Sequence, residues 1–233
     1  RGQKLLQKAD IVIYAGSLVN EQLLSETKQS CQIYNSAQMT LEQISQIFIE
    51  NKQKEIVRLH TGDTCLYGAI REQMDILSKE GIAYDVCPGV SSFCGAAAAL
   101  QMEYTLPDVS QTVIITRMEG KTPVPQKEDI SKLAQHQTTM VIFLSAGLLE
   151  GLEKKLQQGG CDADMPAAIV QRATWEDEKI VHCTVSTLAQ SAKQNNITKT
   201  ALIIVGNVLG KYYKRSLLYH PQFSTEFRKA EKL

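Results

Sequence analysis

The sequence predicts an α/β protein of two lobes, and three observations carry that prediction. Short β-branched runs alternate with amphipathic helical stretches along the chain, the pattern of strands covered by helices. A polar break around Pro107 and Asp108 divides the 233 residues nearly in half. Glycines and prolines fall where strands hand over to helices, as at Gly62, Pro88 and Gly89. The expected lobes are residues 1–108 and 109–233, with helices covering mainly parallel strands.

Each element follows from its local pattern. Leu5, Leu6 and Ala9 share one helical face, and a β-branched strand follows at residues 11–14. A helical stretch at residue 1 with no cap or preceding strand points to an N-terminal strand and turn that this chain lacks, and with them any targeting signal. Apolar residues at 41, 44, 47 and 48 give an amphipathic helix over 41–54. Strand 55–60 ends in the TGDT turn, and a helix over 67–79 stops at Gly81. A strand at 84–87 closes on Pro88-Gly89, followed by a small-residue helix at 93–101. Beyond the break, strands are expected at 112–118, 139–144, 167–172, 179–184 and 201–205. Helices are expected at 128–134, 148–158 and 187–194. The abundant glutamine reads as solvated helix surface.

Composition limits the function. Lys plus Arg and Asp plus Glu each number 25, so the net charge is zero, which argues against a nucleic-acid binder working through a global basic field. No run approaches the roughly 20 apolar residues that cross a bilayer, so no membrane partner is expected. The six cysteines form no C-x-x-C pair and the four histidines no i, i+4 pair, so no metal site is expected. Scattered, unpaired cysteines point to a soluble cytoplasmic protein.

Four junctions carry residues suited to chemistry. HTGDTCLYG, residues 60–68, lies where a strand ends and a helix begins, the place where open α/β sheets bind ligands. Its Gly62 permits close backbone approach, its Asp63 accepts hydrogen bonds, and a helix starting near Tyr67 would offer free N–H groups. PGVSS, residues 88–92, is a second such turn, with Ser91 or Ser92 placed to cap a helix. TRMEGKTPVP, residues 116–125, is a proline-stiffened loop carrying Arg117, Glu119 and Lys121, and Arg117 has the fork to clamp a carboxylate. QRATWEDEKIV, residues 171–181, places the sole tryptophan, Trp175, between two strands, where packing is the simplest role. No nucleophile elbow, Walker A loop or G-x-G-x-x-G fingerprint occurs. The residues alone therefore define a two-lobe α/β protein with a cleft ligand.

Taken together, residues 9–19, 60–74, 88–100, 106–125, 173–181 and 201–209 resemble the tetrapyrrole methylase superfamily. Within it, SQTVIITRMEGKTPVP and ATWEDEKIV are most similar to the branch that methylates carbon 11 of precorrin-4 or cobalt-precorrin-4. The resemblance implies a two-lobe tetrapyrrole methylase fold with the ligand cleft between the lobes, S-adenosyl-L-methionine as cofactor, S-adenosyl-L-homocysteine as product, and a homodimer. It implies that Thr61, Gly62, Asp63 and Leu66 meet the methionine portion of the cofactor, with Ser91 and Ser92 beside it. Leu144 and Ser145 would meet the adenosine, and Ala173, Ala201 and Leu202 would close the adenine pocket. Thr64 stands where the family often has proline, which puts the rigidity of that loop in question.

The implied reaction is a methyl transfer in line from an activated sulfonium to an electron-rich ring carbon. Alignment alone can supply on the order of 7–11 kcal/mol of such a barrier, so no catalytic acid or base is expected. The substrate's acetate and propionate groups call for cations. Arg58, Arg71, Arg117, Lys121 and Arg172 are the candidates, and Arg117, Glu119 and Lys121 form the expected substrate-binding set. Two other readings stay open: a precorrin methylase acting at another ring carbon, and a binding module that holds a nucleotide-like ligand without turnover.

Overall fold

A computed structural model describes residues 1–231, which form two compact units, Arg1–Ser92 and a second beginning at Phe93. The polar break at 107–111, where the sequence suggests the division, lies within the second unit. Tyr104 ties that stretch down: its hydroxyl donates to Phe93 O at 2.7 Å, and its own carbonyl accepts from Thr139 Oγ1 at 2.9 Å.

The first unit contains α1 (Gly2–Lys8), β1 (Ile11–Tyr14), β2 (Gln32–Asn35), α2 (Leu41–Glu50), β3 (Ile56–Leu59) and α3 (Arg71–Lys79). Its strands are all parallel in the order β2-β1-β3. Central β1 is covered on both faces, which is why IVIY is apolar without alternation. Ile11 and Ile13 pack with Ile44, Phe48 and Leu77 from α2 and α3. Val12 and Tyr14 pack on the other side with Leu6, Ala9 and Val19. A capping box fixes the start of α2, with Thr40 Oγ1 accepting from Gln43 N while Gln43 Oε1 accepts from Thr40 N.

The structure corrects three expectations for this unit. It adds β2, which local pattern does not announce, because QIYN is a largely exposed edge strand with only Tyr34 packed on the core. Residues 84–87 form no strand: Tyr84 and Val86 stand exposed, and no neighbouring strand among the described residues pairs with them. The helix expected from Tyr67 begins at Arg71, since Tyr67 and Ala69 have φ of 55° and 47°, outside helical space.

The helix α4 (Ser92–Ala99) stands at the division. The second unit continues with β4 (Val113–Arg117), α5 (Ile130–Leu133), β5 (Thr139–Phe143), α6 (Leu149–Gln158), β6 (Pro166–Gln171), β7 (Lys179–Thr184), α7 (Leu188–Gln194) and β8 (Ala201–Val205). Its sheet has the order β4-β5-β8-β6-β7. Only β4 and β5 run parallel; β8 is antiparallel to β5 and β6, and β7 to β6. The expectation of mainly parallel strands therefore holds for the first sheet and fails for the second. The link from Gln171 to Lys179 is too short for a crossover helix and makes a hairpin instead. The core lies between this sheet and its helices, with Ile142, Ile169 and Ile203 of the sheet against Leu152, Leu156 and Leu188, all fully buried.

Candidate functional site

In the first unit the site is built from two loops. The chain leaves β3 and turns at Gly62, whose φ of 63° suits glycine. The carboxylate of Asp63 then ties the turn together: Oδ1 accepts from Cys65 N at 2.8 Å, and Oδ2 accepts from Gly89 N at 2.8 Å. The Cys65 thiol first, and then these two backbone N–H groups, hold the Asp63 carboxyl below its ordinary range. Gly89 must be glycine, because a Cβ there would lie 2.0 Å from Gly62 O. Gly62 in turn faces Ser91 and Ser92: a Cβ on it would lie 3.5 Å from Ser91 Cα and 3.4 Å from Ser92 N. The structure thus brings Gly62, Asp63, Ser91 and Ser92 together. Thr61 and Leu66 belong to the same loop, with Leu66 N donating to Asp63 O at 3.3 Å.

Two polar atoms in this loop are buried without a protein partner, His60 Nε2 and Thr64 Oγ1. An unsatisfied buried polar group costs about 1–3 kcal/mol, so these atoms mark a place where a bound group or water completes the bonding. Burial, and then the charge of Arg58, push the His60 imidazole down to about 4, so it is neutral near pH 7.

In the second unit, register gathers the other expected residues at one end of the sheet. Arg117 pairs with Phe143 at the ends of β4 and β5, and Gln171 pairs with Ala201 where β6 ends and β8 begins. Leu144, just past β5, has φ of 53° and is 62% exposed, an apolar side chain held in open solvent by a strained backbone. Arg172, Thr174 and Thr200 at the same end also have positive φ, and Arg172 N donates to Thr200 O at 3.0 Å. Ala173 and Thr174 lie beside Gly95 of α4, where a Cβ would approach them at 3.6 and 3.4 Å. Leu202 is buried one residue into β8. Ser145 is fully buried and its hydroxyl is doubly engaged, donating to Phe143 O at 2.6 Å and accepting from Met118 N at 2.9 Å. Its side chain therefore joins the end of β5 to the loop after β4.

Most of the candidate cations have partners within the protein. Arg117 donates to the carbonyls of Met118 and Thr122, each at 3.2 Å, and of Pro123 at 2.7 Å, which fastens its own loop. Arg172 pairs with Asp177 and lies 5.1 Å from the centroid of the Trp175 ring. Arg71 pairs with Asp75 one helical turn on. Arg58 donates to Gln73, Ile13 and Ser36. Lys121 is exposed and makes no hydrogen bond or ion pair among the described residues. Beside this loop, Arg117, Glu119, Asp129 and Lys155 line a cavity of about 160 Å³.

Gln73 is the site residue that sequence reasoning misses. The reading of glutamine as solvated surface covers it, yet it is 7% exposed and bonded on both sides. A glutamine on the apolar side of its helix, four residues after a turn, is the signal that could have found it. Among the described residues no group of histidine, cysteine or acidic side chains is placed to hold a metal ion.

The first unit thus carries paired glycine loops after a parallel strand, and the second gathers strained turns at one end of a mixed sheet, in a two-unit α/β protein. The family profile described as tetrapyrrole (corrin/porphyrin) methylases matches residues 1–189. A cobalt-precorrin-4 C(11)-methyltransferase of Methanocaldococcus jannaschii is 52% identical, over 100% of this chain and 91% of that protein. One of Priestia megaterium, with the same name, is 43% identical over 100% and 92%. The crystal structure of a cobalamin biosynthetic enzyme, cobalt precorrin-4 methyltransferase, superposes with a TM-score of 0.87 at 43% identity, covering 90% of this chain and 89% of that one. The chain belongs to the tetrapyrrole methylases, a family of methyltransferase enzymes.

Proposed function

We propose that the protein is an S-adenosyl-L-methionine-dependent C-methyltransferase acting on carbon 11 of cobalt-precorrin-4, or precorrin-4, in corrin biosynthesis. One observation carries the reading: the Asp63-stapled loops and the strained turn at Leu144 stand in a chain that matches cobalt-precorrin-4 C(11)-methyltransferases over its whole length. The residues present suit the cofactor. Its amino-acid end needs donors and acceptors, which the unpartnered His60 Nε2 and Thr64 Oγ1 and the open backbone at Gly62 offer. Its adenosine needs apolar and small neighbours, the character of Leu144, Ala173, Ala201 and Leu202.

S-Adenosyl-L-methionine supplies an already activated methyl group. The protein's part is then to orient, and no side chain is assigned as acid or base. Thr61, Gly62, Asp63 and Leu66, with Ser91 and Ser92, hold the methionine portion, largely through backbone set in place by the Asp63 carboxylate. Leu144 and Ser145, with Ala173, Ala201 and Leu202, meet the adenosine. Lys121, whose charge has no partner among the described residues, binds a substrate carboxylate, and Arg117 and Glu119 complete that loop. Six unpaired cysteines support a cytoplasmic setting, and the exposed Tyr212, Tyr213, Tyr219 and Phe227 support a homodimer.

Calorimetry of the full-length protein with S-adenosyl-L-homocysteine tests the cofactor, and binding at micromolar concentration is expected. Mass spectrometry after turnover with cobalt-loaded and cobalt-free precorrin-4 then tests the substrate, with one added methyl expected. Binding without turnover would favour a module that only holds the ligand.

A further inference from the structure

Arg58 is a half-buried cation in the first unit with no carboxylate partner among the described residues. Its Nε donates to Gln73 Oε1 at 3.2 Å, one terminal nitrogen to Ile13 O at 2.9 Å, and the other to Ser36 Oγ at 2.9 Å. Ser36 passes the link on, donating to Tyr14 O at 2.9 Å. Gln73 does the same on its other side, with Nε2 donating to Ala69 O at 2.9 Å. The guanidinium thus rests wholly on neutral acceptors, three of them on different segments, and its fork leaves it little freedom.

The placement of these bonds matters more than their number. Arg58 stands in β3, two residues before His60, where the Gly62–Asp63 loop begins. Gln73 stands in the first turn of α3, just after that loop ends, and it holds the carbonyl of Ala69, whose φ is 47°. The Arg58–Gln73 bond therefore joins the two ends of a strained loop, and the Asp63–Gly89 bond joins its tip to the next turn.

We propose that Arg58 and Gln73 are positioning residues, a relay that closes the base of the residue 60–70 loop and fixes Gly62 and Asp63 for the cofactor. Neither residue touches the ligand. The relay rests on the cofactor-binding role proposed for that loop. A loop tied at base and tip has few arrangements to lose when ligand binds, so the relay acts on cofactor affinity and leaves the substrate side alone.

Three full-length variants test this, with amide hydrogen exchange of the ligand-free protein and calorimetry against S-adenosyl-L-homocysteine as readouts. Gln73→Met removes both bonds of the glutamine. Gln73→Glu keeps an acceptor for Arg58 but loses the donor to Ala69 O. Asp75→Ala, on the same helix, breaks only the exposed pair with Arg71. Both Gln73 variants are expected to speed exchange across residues 61–69 while β3 stays protected, and to weaken binding about tenfold, which corresponds to 1.4 kcal/mol. The KM for S-adenosyl-L-methionine rises in step while the KM for the tetrapyrrole stays level. Asp75→Ala changes none of these. Gln73→Glu binding like wild type would overturn the relay through Ala69, and so would faster exchange with unchanged affinity. If wild type does not bind S-adenosyl-L-homocysteine, the cofactor reading itself fails, and the exchange arm still decides whether the tether exists.

Discussion

Asp63 Oδ2 accepts the N–H of Gly89 at 2.8 Å, and this bond makes one structural unit of two loops that lie 26 residues apart in sequence. Asp63 resembles a catalytic carboxylate by type and by its place after a strand. Both of its oxygens are instead turned onto backbone N–H groups, of Cys65 and Gly89. Asp63→Asn puts an amide N–H against one of those donors, so the loops part while the folds of the sheets persist. We expect kcat/KM for the cofactor to fall roughly 10–100-fold, with far-UV circular dichroism unchanged, as steady-state kinetics and spectra will show.

Gly89 is the other half of that contact. A methyl group at this position meets Gly62 O at 2.0 Å, a backbone atom that no rotamer can move aside. Gly89→Ala is therefore expected to abolish detectable S-adenosyl-L-homocysteine binding in calorimetry. Gly81→Ala is a control for a positive-φ glycine whose Cβ meets nothing within 4 Å; it lowers thermal stability and leaves binding intact.

His60 makes the protein sensitive to mild acid. Its folded value is about 4 against 6.5 unperturbed, lowered by burial first and by Arg58 second. The unfolded chain takes up this proton first as pH falls, so the associated stability is whole above pH 6.5 and drains away toward pH 4. A loss on the order of 2 kcal/mol over that window is expected from denaturant titrations. His60→Gln should flatten that part of the profile.

Arg117 and Lys121 should separate in kinetics. Arg117 fastens its loop by three carbonyl contacts, whereas Lys121 has no internal partner among the described residues. Lys121→Ala is expected to raise the tetrapyrrole KM about tenfold with S-adenosyl-L-homocysteine affinity unchanged, in line with the loss of one charged hydrogen bond. Arg117→Lys loses the fork, frees the loop and lowers kcat as well. Equal effects of the two changes on KM alone would show Arg117 to be a direct ligand instead.

The sequence discloses what periodicity and turn chemistry encode. Buried runs such as IVIY and ALIIV carry their strands in their composition, and Gly62 and Gly89 mark their loops. Partnership between distant segments is not encoded in that way. QIYN pairs with β1 although only Tyr34 of it packs on the core, while YDVC has strand-forming residues and no strand pairs with it among the described residues. β8 lies antiparallel between β5 and β6, and local pattern is silent on that placing. At the site, residue types point to the right loops, but polar side chains there have more than one possible occupation. Arg117 reads as a carboxylate clamp until its contacts with the carbonyls of Thr122 and Pro123 are seen, and Gln73 reads as surface until its burial is known.

Methylation of ring carbon 11 is decided by carbon-13 spectroscopy of the product formed with S-adenosyl-L-methionine labelled in its methyl group. The full-length protein, supplied with cobalt-precorrin-4, should yield one enriched methyl signal, bonded to ring carbon 11. Label at any other ring carbon, or protein that binds S-adenosyl-L-homocysteine and transfers no label, would refute the proposed activity.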